Sequence, residues 1–247
     1  MDNFLKKSLY FVFSLLFLAT PLRAEDPFGG FQQFVDRDSL KPFARDLGSV
    51  LGAATFHNGR SLGFSGFDVG IRGGFRFASE AGNRPLRDKG VTAFGLPWVQ
   101  AEIGLPFALD GYIRGVSAQG TTISGGGLRY GITKKTENDW HPQILVAWSG
   151  HSVAHQHFSA SHLGLNLVAS LNFKKIAPYV AAGIDRTRLV VKTTPARDAT
   201  LTGEKVTVNV PRATLGISIR PKPYLYLHVA GTMTNRLGLD SGIGIRF

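Results

Sequence analysis

The sequence predicts an all-β protein: a closed antiparallel transmembrane β-barrel of about ten strands, with eight or twelve as alternatives, preceded by one short amphipathic helix. Three observations carry this. Period-two runs dominate from Phe64 to the end. Their polar faces hold Gly, Arg and Asp opposite bulky aliphatics, which fits lipid outside and a wet lumen inside. The first residues read as an export signal.

Lys6 and Lys7 form a basic n-region, Ser8 to Leu22 an apolar h-region, and Leu22-Arg23-Ala24 a cleavage tripeptide. A signal peptide over 1–24, cut near Ala24, follows. The apolar run of about 15 residues is shorter than the roughly 20 that a spanning helix needs. Residues 25–60 are expected to be a linker followed by a helix, and 61–247 the barrel. Within the first part, Glu25 to Arg37 is rich in Gly and Phe and reads as linker. Asp38 and Ser39 offer an N-cap. Leu40, Phe43, Leu47, Val50 and Leu51 then recur at helical spacing, with Pro42 in the first turn, predicting a helix over about 39–54. It is expected to plug the lumen or to lid the periplasmic mouth, the alternative being an interfacial helix.

The first strand run is the clearest: Phe67, Val69, Ile71, Phe75 and Phe77 alternate with Asp68, Gly70, Arg72, Gly74 and Arg76. Further runs lie near 97–106, 109–117, 121–134, 142–152, 163–173, 177–193, 204–220 and 223–234. The tenth is Leu237 to Phe247, with Leu237, Leu239, Ile243, Ile245 and Phe247 on one face. A soluble β-sandwich is the competing fold, but runs of about ten residues exceed the usual five or six of globular domains. With Phe247 at the periplasmic side, the longest connections, 79–96 and 193–204, fall outside. Phe107, Trp140, Phe173, Tyr179, Tyr224 and Phe247 then gather at the inner aromatic girdle.

The chain has 30 glycines, no cysteine and a formal charge of +11. The missing cysteines exclude disulfides, thiol chemistry and zinc–cysteine sites. No groove-reading motif accompanies the positive charge, so nucleic acid is not expected. The expected partners are outer-membrane lipids and lipopolysaccharide phosphates. Gly125-Gly126-Gly127 lacks a following Lys-Ser/Thr and is not a nucleotide loop. No cofactor is expected.

The last strand, closed by a terminal Phe247, resembles the C-terminal signature of Gram-negative outer-membrane β-barrels. That resemblance implies an outer-membrane location and recognition of the last strand by the barrel-assembly machinery. More narrowly, the chain resembles an uncharacterised family of predicted outer-membrane barrels with an N-terminal helix. This second likeness covers Leu47-Gly48-Ser49-Val50-Leu51-Gly52, Gly63-Phe64-Ser65-Gly66-Phe67-Asp68, Gly104-Leu105-Pro106, Arg114 and Gly125-Gly126-Gly127-Leu128-Arg129-Tyr130. It implies no active site.

Two constellations could carry chemistry. By phase, the lumen holds Asp68, Arg72, Arg76, Glu102, Asp110, Arg114, Arg129, Asp185, Arg220 and Arg246. In a narrow lumen such charges must pair. They form either a structural network or a weakly anion-favouring passage for small solutes. The second constellation is His151, His155, His157 and His162, at the outer rim. His157 and Ser159 lie two apart, on the lipid-facing phase, and only weakly resemble the dyad of outer-membrane phospholipases and lipid A deacylases. No orienting group for His157 is in phase. The four histidines are also weak candidates for a metal site. The sequence therefore reads as a structural or narrow-passage barrel, more readily than as an enzyme. A rim hydrolase and uptake of a hydrophobic small molecule are the alternatives.

Overall fold

The computed structural model of the chain describes residues 26–118, 120–133 and 140–247. The expected signal peptide and most of the turn at 135–141 lie outside the described residues. Ten antiparallel strands form a closed barrel: β1 (Phe67–Arg76), β2 (Phe94–Gly104), β3 (Leu109–Ala118), β4 (Thr121–Gly131), β5 (Gln143–His155), β6 (Phe158–Ser170), β7 (Ile176–Val191), β8 (Lys205–Lys222), β9 (Leu225–Met233) and β10 (Leu237–Arg246). Each strand pairs with its chain neighbours, and β1 pairs with β10 to close the circle. The closing seam ends in a reciprocal pair of backbone hydrogen bonds between Phe67 and Phe247, at 3.1 and 2.8 Å. Closure removes every open edge.

Strict alternation sends one residue inward and the next outward. Ile71, Val99, Ile113, Leu165, Leu215 and Ile243, on six different strands, are all exposed on the outer wall. Lumen positions on the same strands are buried and include the charged residues. The sheet is inside out relative to a soluble protein: its apolar face looks away from the core. The strand ends at Phe67 and Phe247 share one end of the barrel with the connections 105–108, 171–175 and 223–224. The opposite, loop end carries the longer connections 77–93 and 192–204.

The barrel is filled by its own N-terminal segment. Two helices, α1 (Phe31–Phe34) and α2 (Leu40–Leu51), occupy the loop-end half. A third, α3 (Arg84–Arg87), caps that mouth. Phe43 of α2 meets Phe28, Phe31 and Phe158 at ring centroid distances of 5.9, 4.9 and 5.1 Å. After Gly52 the chain descends through the lumen. Phe56 packs on Tyr179, His57 stacks on Tyr226, and the Gly59 amide donates to Ser170 Oγ. The Leu62 amide donates to Asp110, and the strap then leaves at the Phe247 end to enter β1. Close approach explains two glycines. A Cβ on Gly48 would collide with Thr187 on β7, and one on Gly74 with Ala53.

Three local expectations are corrected. The segment read as linker is packed: Phe28, Phe31 and Val35 are fully buried because the lumen offers an apolar chamber for them. Ser39 makes no N-cap bond with its side chain. Instead its hydroxyl bonds Asp36 O and its amide donates to Asp36 Oδ1, a turn that aims the chain into α2. Tyr179 is not part of the inner aromatic girdle. It shares inward phase with Ala177 and Ala181 and is buried. Phe107, Trp140 and Phe247, by contrast, are strongly exposed at the Phe247 end.

Candidate functional site

The lumen charges fall into two groups, one around the strap and one around the end of α2. In the first, Glu102 on β2 lies between two buried guanidiniums. Oε1 accepts from Arg72 and from Gln100 Nε2 (2.7 Å), and Oε2 accepts from Arg129. Arg72 also stands 3.5 Å from Asp68 and donates to Tyr226 Oη at 2.9 Å. The Tyr226 hydroxyl donates to Asp68 Oδ1 at 2.7 Å. Arg246 reaches Asp68 Oδ2 at 3.3 Å and His57 Nε2 at 2.8 Å. Arg129 lies 5.4 Å from the Tyr112 ring centroid. Five strands (β1, β2, β4, β9 and β10) and the strap are thereby tied through inward-facing side chains, with β3 joined through the Tyr112 ring.

The second group meets the C-terminus of α2. A helix leaves its last carbonyls without intrahelical partners, and its macrodipole is negative at that end. Here arginines from three strands supply the donors. Arg76 Nε donates to Ser49 Oγ at 2.7 Å, and its Nη2 donates to Ser49 O. Arg212 Nη2 donates to Ser49 O at 2.8 Å. Arg114 donates to Leu51 O and, at 2.8 Å, to Ala53 O. Asp185 holds Arg212 through a 2.8 Å hydrogen bond. Asp240 Oδ2 accepts the amide of Ala54, where the backbone turns from helix to strap with φ of 52°.

The loop-end half of α2 is held by the loops. Asp46 accepts from the Glu80 amide (2.7 Å), Asn83 Nδ2 (2.7 Å) and Asn235 Nδ2 (3.0 Å). Arg45 pairs with Glu80, which holds the Glu80 carboxyl below its ordinary value. Asp26 joins His155 Nε2 at 3.0 Å and accepts Lys89 at its carbonyl.

Of the residues expected in the lumen, Asp68, Arg72, Arg76, Glu102, Asp110, Arg114, Arg129 and Asp185 are buried there. Arg220 and Arg246 are half-buried at the Phe247 end, where Arg220 donates to Phe173 O at 3.0 Å. Arg212 and Asp240 belong to the same network and were not among the expected set. Both lie in phase with inward neighbours, so strand alternation could have found them. Alternation on β9 also turns Tyr226 inward, with His228 and Ala230, but nothing local in the sequence ties it to His57 of the strap.

The histidines do not converge. His151 and His162 face each other inside the barrel with ring centroids 5.6 Å apart. His151 Nε2 accepts from Arg114 Nε at 2.7 Å, and His162 Nδ1 meets Thr187 Oγ1 at 3.1 Å. His155 packs on Phe158 at the rim, and His157 lies in the connection between β5 and β6. Among the described residues, no group of three or more His, Asp or Glu side chains is placed to hold a metal ion. His157 Nδ1 meets Thr193 Oγ1 at 3.1 Å, whereas Ser159 points outward from β6 between Ala154 and Val190. No hydrogen bond joins His157 and Ser159 among the described residues. Burial and the neighbouring His155 hold His157 below its ordinary pKa. The arrangement gives the serine no base.

No protein-family model matches the chain. No curated protein matches it in sequence. Among solved structures it is similar to the N-terminal β-barrel domain of Pseudomonas aeruginosa OprF, with 10% identity over 75% of this chain and 99% of that one, and a TM-score of 0.41. Neisserial surface protein A matches at 12% identity over 73% of this chain and 95% of its own, with a TM-score of 0.32. Ail, the attachment invasion locus protein of Yersinia pestis, matches at 12% identity over 74% and 99%, with a TM-score of 0.34. No residue role follows from these likenesses.

Proposed function

We propose that the chain is an integral outer-membrane β-barrel, closed by its own N-terminal segment, that serves as a structural element of the membrane and not as an open pore. The membrane reading is supported by the outer wall. A continuous band of exposed aliphatics is tolerated in lipid and not in water. The outer-membrane reading adds the terminal Phe247 strand, which suits the barrel-assembly machinery, and the division of long and short connections. With Phe247 on the periplasmic side, residue 26 and the helices lie toward the cell surface.

The closed reading rests on one observation above all. The arginines that could line an anion path are spent on the carbonyls at the end of α2. Three strands donate to those carbonyls through Arg76, Arg114 and Arg212. A guanidinium so engaged is part of a lock, and the cross-section it would otherwise line is filled by the strap. A rim hydrolase is not favoured, because His157 and Ser159 are turned apart.

Heat-modifiable migration of the unboiled protein tests the barrel, and planar-bilayer recording tests the closure. Folded protein is expected to insert and to give no conductance steps. Steady steps from folded, undeleted protein would overturn the closed reading.

A further inference from the structure

The outer wall is not uniform. On β5 to β8 the rows of outward side chains can be read in register. Trp148, Leu165, Ile184 and Pro211 form one row. One row nearer the loop end stand Gly150, Leu163, Arg186 and Asn209. The next holds Ser152, Ser161, Arg188 and Thr207, and the last Ala154, Ser159, Val190 and Lys205. The wall therefore changes within one row from apolar to cationic, and hydroxyl and amide groups flank the cations. Arg186, Arg188 and Lys205 are exposed, no carboxylate faces outward in these rows, and no ion pair reaches the three among the described residues. On the opposite wall Phe75 and Leu239, paired near the loop end, keep the surface apolar. The cations thus form a one-sided stripe.

A surface groove of about 280 Å³ lies across the same boundary, lined by Trp148, Leu165 and Ile184 in the apolar row and by Leu163, Arg186 and Asn209 in the next. An apolar trough that ends on a guanidinium fits an amphiphile: a chain along the trough and a phosphate at its head. Arg186 and Arg188 are two residues apart on one strand and share its outer face, so their backbone positions lie roughly 7 Å apart. Guanidinium forks suit phosphate oxygens, and an exposed cation beside an anionic headgroup layer is attracted to it.

We propose that this face of β5 to β8 binds a phosphorylated, acylated glycolipid of the outer leaflet, namely lipopolysaccharide through its lipid A phosphates. The proposal rests on the outer-membrane reading above, because it needs the loop end to face the outer leaflet. Trp148, Leu165 and Ile184 contact an acyl chain. Arg186 and Arg188 take a phosphate, with Asn209, Ser161 and Thr207 as neighbouring donors.

The test uses the full chain in phosphatidylcholine nanodiscs, with bisphosphorylated lipid A as probe. The R186A/R188A variant is expected to bind it about 30-fold more weakly than the native chain. Lipid A stripped of its phosphates is expected to bind native and variant alike. The single variants R186Q and R188Q, each expected to lose about fivefold, serve if the double variant does not fold. Equal binding of bisphosphorylated lipid A by native and variant would overturn the proposal. So would an equal loss in K174A/K175A, at the other end of the barrel, because the effect would then be general charge. Displacement of lipid A by millimolar inorganic phosphate would reassign the stripe to free phosphate. Native protein that fails to enter nanodiscs with heat-modifiable migration would sink the membrane reading itself. That outcome is distinct from inserted protein that binds without preference.

Discussion

Replacing Glu102 by Gln removes one negative charge from the centre of the lumen and leaves the shape almost unchanged. Its two guanidinium partners, Arg72 and Arg129, have side chains only 0% and 4% exposed. Arg72 keeps Asp68 at 3.5 Å and the Tyr226 hydroxyl. Arg129 loses its carboxylate partner and keeps the Tyr112 ring. Stripping one member from a buried pair costs about 3–5 kcal/mol. The glutamine amide still offers an acceptor and Arg72 retains a counterion, so the low end, ~3 kcal/mol, is expected. Reversible urea unfolding of the barrel in a defined bilayer, followed by tryptophan fluorescence, measures it. A second variant makes the reasoning sharper. E102Q/R129M removes both charges of one pair, and replacing a whole buried pair by apolar volume is often neutral. The double variant should therefore recover about half of the loss or more. An E102Q variant within ~0.5 kcal/mol of native, or a double variant weaker than the single one by a further ~3 kcal/mol, would refute the claim that this carboxylate neutralises buried cations.

Phe43→Ala opens the aromatic chamber at the loop end and should cost about 3–5 kcal/mol locally. Limited proteolysis should then cut within 26–38 while the barrel keeps its heat-modifiable migration; unchanged resistance would count against the packing role of Phe43. Glu80 gives a pH signature. Its folded pKa is depressed by Arg45, so its contribution is present above the unfolded carboxylate value and is lost as pH falls through the folded one. The pair is partly exposed, so the effect stays below about 1 kcal/mol. The stability gap between native and E80Q should shrink as pH falls from neutral through the carboxylate range, and a gap that widens on acidification would contradict the pairing. Deleting residues 26–63 removes α1, α2 and the strap together, and the remaining barrel, where it inserts, should conduct in steps that the complete chain lacks.

Much of the barrel is legible because strand phase is a local property. Arg or Asp alternating with Leu or Ile over ten residues announces both the strand and its lumen face, and parity alone places Arg72, Glu102, Arg129 and Asp185. The same rule, applied to Thr214 and to Gly238, would have included Arg212 and Asp240, and would have turned Tyr179 inward. The His157–Ser159 pairing misled because alternation stops at a turn: His157 lies in the connection, so spacing by two no longer means a shared face. Helix α2 is legible from its apolar stripe. Its setting is not, because the arginines that meet its last carbonyls come from strands far along the chain, and helical sequence carries no mark of them. Phe28 and Phe31 lie in a segment without period; only the closed barrel supplies the chamber that orders them.

The central claim, that α2 is locked inside the barrel, is most directly tested by a disulfide, and the absence of native cysteine makes the test clean. A Cβ on Gly48 would lie 3.1 Å from Thr187 Cβ on β7, a few tenths of an ångström inside the usual range for a bridge. In G48C/T187C, mild oxidation in intact membranes should cross-link helix to wall almost completely, giving a reductant-sensitive mobility shift. Two free thiols after oxidation, both open to a polar maleimide in folded protein, would contradict the account.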